Sequence, residues 1–175
     1  MASIMCTQKL WRALGNAGQP PARTDAPQAA GTLLGSWALK LIHYNRKGLV
    51  LALNERTYLT LVFPAAPRAG FRERFAAALI AVLEDLGVSP SVAAHEAMVL
   101  DFLPLARLTS RSLSGSLNQL EFLSFCELDY ISDLRKVQLN LNEVPHVKRE
   151  PSCPIDAVAQ LFGALKTHGS AGRIH

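Results

Sequence analysis

Hydrophobic residues in this chain recur with two periods, and the change from one to the other marks where helix gives way to strand. Residues 4–6 read as a short strand, and Thr7 then stands as an N-cap before Leu10, Trp11 and Leu14, a short helix that Gly15 stops. Residues 15–33 hold Gly15, Gly18 and Gly31 with Pro20, Pro21 and Pro27 and show no apolar period, so they read as a flexible insert. Three β runs follow at 36–44, 49–54 and 57–63, joined by Asn45-Arg46-Lys47-Gly48 and by Glu55-Arg56. Connections this short demand an antiparallel meander. In its middle run Leu49, Leu51 and Leu53 alternate with Val50, Ala52 and Asn54. Both faces are largely apolar, and at least one requires a cover of helices.

Pro64 and Pro67 close the meander, and Phe71, Phe75, Ala78, Leu79, Val82, Leu83 and Leu86 then share one helical stripe ended by Gly87. Ser89-Pro90 opens a second helix running to about 97, and a strand over about 102–109 carries Pro104, which suits a sheet edge. Ser112 or Ser114 caps a long helix to about 130 with Leu113, Leu117, Leu120 and Leu123 inward. Val137, Leu139 and Leu141 alternate with Gln138, Asn140 and Asn142, a strand pattern, and Ser152 or Cys153 caps a terminal helix through Leu165. The fold class expected is α+β: a single domain over 1–168, a mainly antiparallel sheet with a three-stranded meander packed by three to four helices, and a disordered tail at 169–175.

Composition narrows the setting. At 175 residues, 49% hydrophobic and 18% charged, the chain suits one core. It has no apolar run of membrane-spanning length, and Lys9 and Arg12 interrupt its first apolar stretch, so neither a membrane span nor a secretory leader is expected. Cys6, Cys126 and Cys153 are too widely spaced for a zinc ribbon and too few for a disulfide framework, which fits a reducing cytoplasm; Cys126, in an apolar stretch, reads as a core thiol. The net charge of +4 conceals an asymmetry, with ten basic and three acidic residues before position 84 and eight basic and eleven acidic residues from there on. Such a chain can be two-faced, its basic side drawn to nucleic acid or to an acidic protein surface.

Candidate chemistry is sparse. Arg46 and Lys47 sit at a hairpin tip with Lys40, Asn45 and Arg56 on the same meander, a ribbon able to approach a phosphate backbone. The polar run from Thr109 to Asn118, with Arg111, Ser112, Ser114, Gly115 and Ser116, lies where a strand hands over to a helix, and free amides there favour an anion. Simple helix capping explains the same serines. Glu143 beside His146 reads either as an acid/base couple or as turn chemistry before a proline. No histidine spacing suits a metal, and no motif calls for a cofactor.

The ordered motifs Leu34-Gly35-Ser36-Trp37, Asn45-Arg46-Lys47, Leu53-Asn54-Glu55-Arg56-Thr57, Val62-Phe63-Pro64, the run Ser110 to Asn118, and Leu141-Asn142-Glu143-Val144-Pro145 resemble a bacterial family known only as a domain of unknown function. The resemblance covers about 4–165 and supplies no activity. It departs at Leu113-Ser114-Gly115, where a Val-Leu-Gly-like step is expected. It implies that Trp37, Asn45, Arg46, Thr57, Arg111, Ser112, Asn118 and Asn142 approach one another on one side of the sheet, as a polar pocket or as a structural network.

Three functions are expected in order. The first is a non-enzymatic, cytoplasmic binding or regulatory protein, accessory to a mobile-element, toxin–antitoxin or phage-defence system, that engages nucleic acid or an acidic protein through the basic hairpin. The second is an enzyme acting on an anionic or phosphorylated small molecule at the Arg111 to Asn118 helix start, with Glu143 converging on it. The third is a homodimer closed by an apolar strip, either 100–105 or 122–125.

Overall fold

A computed structural model describes residues 1–15, 31–147 and 149–163. The elements run β1 (Ile4–Cys6), α1 (Gln8–Leu14), β2 (Trp37–Tyr44), β3 (Lys47–Asn54), β4 (Thr60–Pro64), α2 (Phe71–Asp85), α3 (Pro90–Leu100), β5 (Leu105–Arg107), α4 (Arg111–Leu128), α5 (Leu134–Glu143) and α6 (Pro154–Phe162). The expected flexible insert falls mostly on 16–30 and the expected tail within 164–175, which lie outside the described residues; at the end of the insert Thr32 and Leu33 are held by the Glu96 carboxylate, at 2.7 and 2.8 Å.

The five strands form one sheet in the order β4-β3-β2-β1-β5. β2, β3 and β4 are the antiparallel meander, while β1 runs parallel to both β2 and β5. The hairpin is tighter than its sequence suggests. Tyr44 pairs with Lys47, leaving a two-residue turn in which Asn45 (φ 46°) and Arg46 (φ 64°) are both left-handed. That is the hairpin turn whose twist matches the strands, and Arg46 takes the position expected of glycine. Gly48 instead pairs with His43.

Helices cover both faces, so the chain is a single α+β domain with the sheet at its centre. On one face Trp37 meets Phe75 edge-on at 5.3 Å, Phe63 stacks on Phe75 at 5.4 Å, and Phe71 joins them. α1, α2, α3 and α6 contribute to this core through Leu10, Leu79, Ala93 and Val158. On the other face Leu49, Leu51 and Leu53 of β3 and Val62 of β4 pack with Leu113, Leu117 and Leu120 of α4 and with Val137 and Leu141 of α5. The described residues hold six helices, one more than the five read along the sequence.

The additional helix corrects the strand read at 137–141. Asp133 caps it by accepting the Arg135 amide at 2.9 Å. Its buried stripe is Val137, Gln138, Leu141 and Asn142, with two amides inside the apolar period. Those amides close the sheet. Asn142 Oδ1 accepts the Thr60 amide at 2.7 Å and its Nδ2 donates to the Thr60 carbonyl at 2.8 Å, while Gln138 Oε1 accepts the Val62 amide at 2.9 Å. One helical turn spans about the same distance as two strand residues. Side chains four apart therefore reach the outward groups of Thr60 and Val62 together. Pro64 brings no amide to this edge, and its carbonyl accepts Arg74 Nε at 2.9 Å. An edge that would otherwise invite another strand is occupied.

Smaller differences have similar causes. The cap of α4 is Ser110, whose Oγ accepts the Leu113 amide at 3.2 Å, not Ser112 or Ser114. Thr7 precedes α1, but its hydroxyl makes no cap bond. The strand expected over 102–109 contracts to β5, with Pro104 just outside it. Cys126 is exposed, because the inward stripe of α4 is Leu113, Leu117, Leu120 and Ser124; the buried thiol is Cys6. Of the two apolar strips, Leu100 and Leu103 are buried, whereas Phe122 is 67% exposed.

Candidate phosphate-binding cleft

Asn54, at the end of β3, organises the local structure on which the cleft is built. Its Nδ2 donates to the carbonyls of Leu34 (2.9 Å) and Ser36 (3.2 Å), and its Oδ1 accepts the amides of Arg56 (3.1 Å) and Thr57 (2.9 Å) and the Thr57 hydroxyl (2.9 Å). The loop curls around this side chain, and Tyr58 emerges left-handed with φ 60°. Bulky residues avoid that conformation at a cost of about 1–2 kcal/mol. Bonds on both sides impose it, from the Tyr58 amide to the Asn54 carbonyl at 3.0 Å and from the Thr60 hydroxyl to the Tyr58 carbonyl at 3.1 Å.

Tyr58 receives the chain that follows α5. The His146 ring packs edge-on against it at 4.9 Å, and the Arg149 guanidinium lies 4.0 Å from its centroid. Arg149 Nη1 donates to the Arg56 carbonyl at 2.8 Å, and the His146 amide donates to the Ser152 carbonyl at 2.7 Å. The N-terminus of α4 lies opposite. Between them opens a cleft of about 520 Å³, lined by Arg111, Ser112, Gly115, Ser116 and Gln119 on one wall and by Tyr58, Pro145, His146, Val147 and Arg149 on the other. The amides of Arg111 and Ser112, at the first two helical positions, have no carbonyl one turn back to bond. Burial and the neighbouring Arg149 lower the pKa of His146 below the ordinary imidazole value. Its Nε2 is enclosed without a hydrogen-bond partner among the described residues.

The expected site residues divide. Arg111 and Ser112 line the cleft, and Arg56 stands beside it with its guanidinium on the Leu33 carbonyl at 2.8 Å. Asn45, Arg46 and Lys47 are exposed at the other end of β2 and β3, about 23 Å away at roughly 3.3 Å per residue. Lys40 is not a free cation. Its Nζ bonds Asn118 Oδ1 at 2.7 Å and forms an ion pair with Glu121, which ties β2 to α4 and occupies Asn118 as well. Trp37, Thr57 and Asn142 are buried structural groups, and Glu143 is exposed and outside the cleft lining. The residues of the resemblance thus form several separate networks.

The basic first half of the chain disperses for the same reason. Arg72 is buried with its guanidinium on the carbonyls of Leu100 and Leu103 (3.0 Å to the latter), and Arg74 gathers those of Pro64, Ala65, Pro67 and Ala69. Sequence reasoning did not identify Tyr58, His146 and Arg149 as a group. Their signal was faint: an aromatic residue after an Asn-Glu-Arg-Thr turn, and a basic, proline-bounded stretch that begins 87 residues later at Pro145.

Fold and cleft together define a class, an α+β domain with a cationic, hydroxyl-lined cleft at the start of one long helix. No helix among the described residues is long and apolar enough to cross a membrane. The chain belongs to the family described as a domain of unknown function (DUF6933), whose profile matches residues 3–157, from β1 into α6. No curated protein matches it.

Proposed function

We propose that this protein is a non-enzymatic, cytoplasmic binding protein for a phosphate-bearing ligand of nucleotide size, held in the cleft between the α4 N-terminus and the wall formed by Tyr58, His146 and Arg149. One observation carries the reading: two arginines from distant parts of the chain, Arg111 and Arg149, line a single cleft at the first turn of an 18-residue helix. Helix N-termini favour anions, and guanidinium groups match phosphate oxygens in pairs. Ser112, Ser116 and Gln119 add hydrogen-bonding groups along the same wall.

Gly115 supports the same reading. A glycine inside a helix costs about 1 kcal/mol relative to alanine, yet a Cβ built at Gly115 meets nothing within 4 Å. Packing does not require it, and what its bare backbone leaves open is the cleft. The hairpin route to nucleic acid has less support, because Lys40 is paired and Arg56 lies at the opposite end from Arg46 and Lys47. A regulatory role in a mobile-element or defence setting would follow from a nucleotide or strand end seated in this cleft.

Calorimetric titration with adenosine monophosphate, adenosine and a 5′-phosphorylated oligonucleotide tests the proposal. Both phosphorylated probes, or one of them, bind and adenosine does not; Arg111→Ala/Arg149→Ala abolishes binding, and Arg46→Ala/Lys47→Ala leaves it within twofold. Gly115→Leu fills the cleft and removes binding with no loss of helix propensity. Undiminished binding in Gly115→Leu, or no binding of any phosphorylated probe at low salt, overturns the proposal.

A further inference from the structure

The far end of the sheet holds a second and larger cavity of about 650 Å³, beside the β2–β3 turn. Its walls are mostly apolar, with Leu49, Pro64, Leu128, Ile131 and Leu134 among them. Arg46 and Lys47 line the same cavity and are exposed, so its charged groups stand where it meets solvent. Two acids stand nearby and neither lines the cavity. Asp129 Oδ1 accepts the hydroxyl of Tyr44, a lining residue, at 2.6 Å, and Asp133 Oδ1 accepts the Arg135 amide at 2.9 Å. The volume falls in the range of small-molecule sites, which pair apolar walls with a few placed polar groups. Apolar walls with two cations at one end complement a molecule that has a hydrocarbon body and one anionic end.

We infer that this cavity binds an amphipathic carboxylate of medium chain length, its chain against Leu49, Leu128, Ile131 and Leu134 and its carboxylate at Arg46 and Lys47. This assignment is independent of the phosphate cleft, which uses none of these residues. Methylene burial makes chain length matter, at about fourfold in affinity per buried CH₂.

The test is a titration of the ¹⁵N-labelled full chain with octanoate, decanoate and decanol below their aggregation limits, followed by amide shifts. Decanoate moves the amides of 45–49 and 131–134 saturably and binds roughly 15-fold more tightly than octanoate. Arg46→Ala/Lys47→Ala weakens decanoate at least fivefold and leaves decanol within twofold. Ser132→Trp, an exposed position on the cavity wall, blocks both ligands without disturbing the core. The assignment is overturned if decanoate causes no saturable shifts there, if the double variant binds it as the wild type does, or if the shifts fall on the α4 N-terminus instead.

Discussion

Asn142→Ala isolates the contact that closes the sheet. Asn142 is fully buried, and its amide serves three backbone groups: the amide and carbonyl of Thr60 and the carbonyl of Gln138. Alanine removes every one of these bonds and leaves the Thr60 amide and carbonyl in an apolar setting without partners. Each orphaned group costs about 1–3 kcal/mol. Partial relaxation of the edge brings the expected loss to about 2–4 kcal/mol, or about 5–15 °C in Tm for a chain of this size. Urea unfolding followed by circular dichroism measures it. Gln138→Ala, which orphans the Val62 amide, loses about half as much, and Glu143→Ala, exposed on the same helix, stays within about 0.5 kcal/mol. A loss below about 0.5 kcal/mol for Asn142→Ala would refute the edge-closing role. Equal losses for Asn140→Ala and Asn142→Ala would favour a strand at 137–142, in which the two side chains share a face.

Further outcomes follow from burial and charge. Burial pushes the Cys6 thiol up to about 12 against the pull of the Arg72 guanidinium, while Cys126 is exposed. Iodoacetamide at pH 8 therefore labels Cys126 in the native protein and reaches Cys6 only on unfolding, as peptide mass spectrometry would show; native labelling of Cys6 contradicts the packing of β1. The lowered pKa of His146 means that the unfolded chain binds this proton more readily than the native one. Its contribution to stability is complete above about pH 6.5 and is lost as pH falls through the lower native value. Urea midpoints between pH 7.5 and 5 decline more steeply for the wild type than for His146→Phe, and parallel profiles would contradict the enclosure of the ring. Lys40→Ala weakens the tie between β2 and α4 but leaves phosphate affinity within twofold; a large loss of affinity would return Lys40 to the binding site.

The meander and α2 were legible because their apolar periods are uninterrupted and their turns have the right chemistry. Leu49 to Asn54 shows two apolar faces, and the structure covers both. α5 was not legible as a helix because its buried stripe contains Gln138 and Asn142, so the inward residues do not read as hydrophobic and the remaining leucines alternate like a strand. The Asp133 cap was the available counter-signal. The charge asymmetry misled for a related reason. Arg72 and Arg74 serve backbone carbonyls and Lys40 serves Glu121, so residues counted as a basic surface are partly structural. Of the candidate site, the α4 start was visible as a serine-rich helix entry with Arg111. Its other wall depends on Tyr58 meeting His146 and Arg149, a contact created by the left-handed turn after Asn54 and by the position of α5, neither of which sequence spacing reveals.

Titration of the ¹⁵N-labelled protein with inorganic phosphate at low ionic strength tests the central claim most directly. The account predicts saturable shifts at the amides of Arg111, Ser112 and Ser116 and at the His146 ring, absent from Arg111→Ala/Arg149→Ala and weakened by added salt. Shifts confined to the hairpin at 45–47, or none at the α4 N-terminus up to tens of millimolar phosphate, would contradict it.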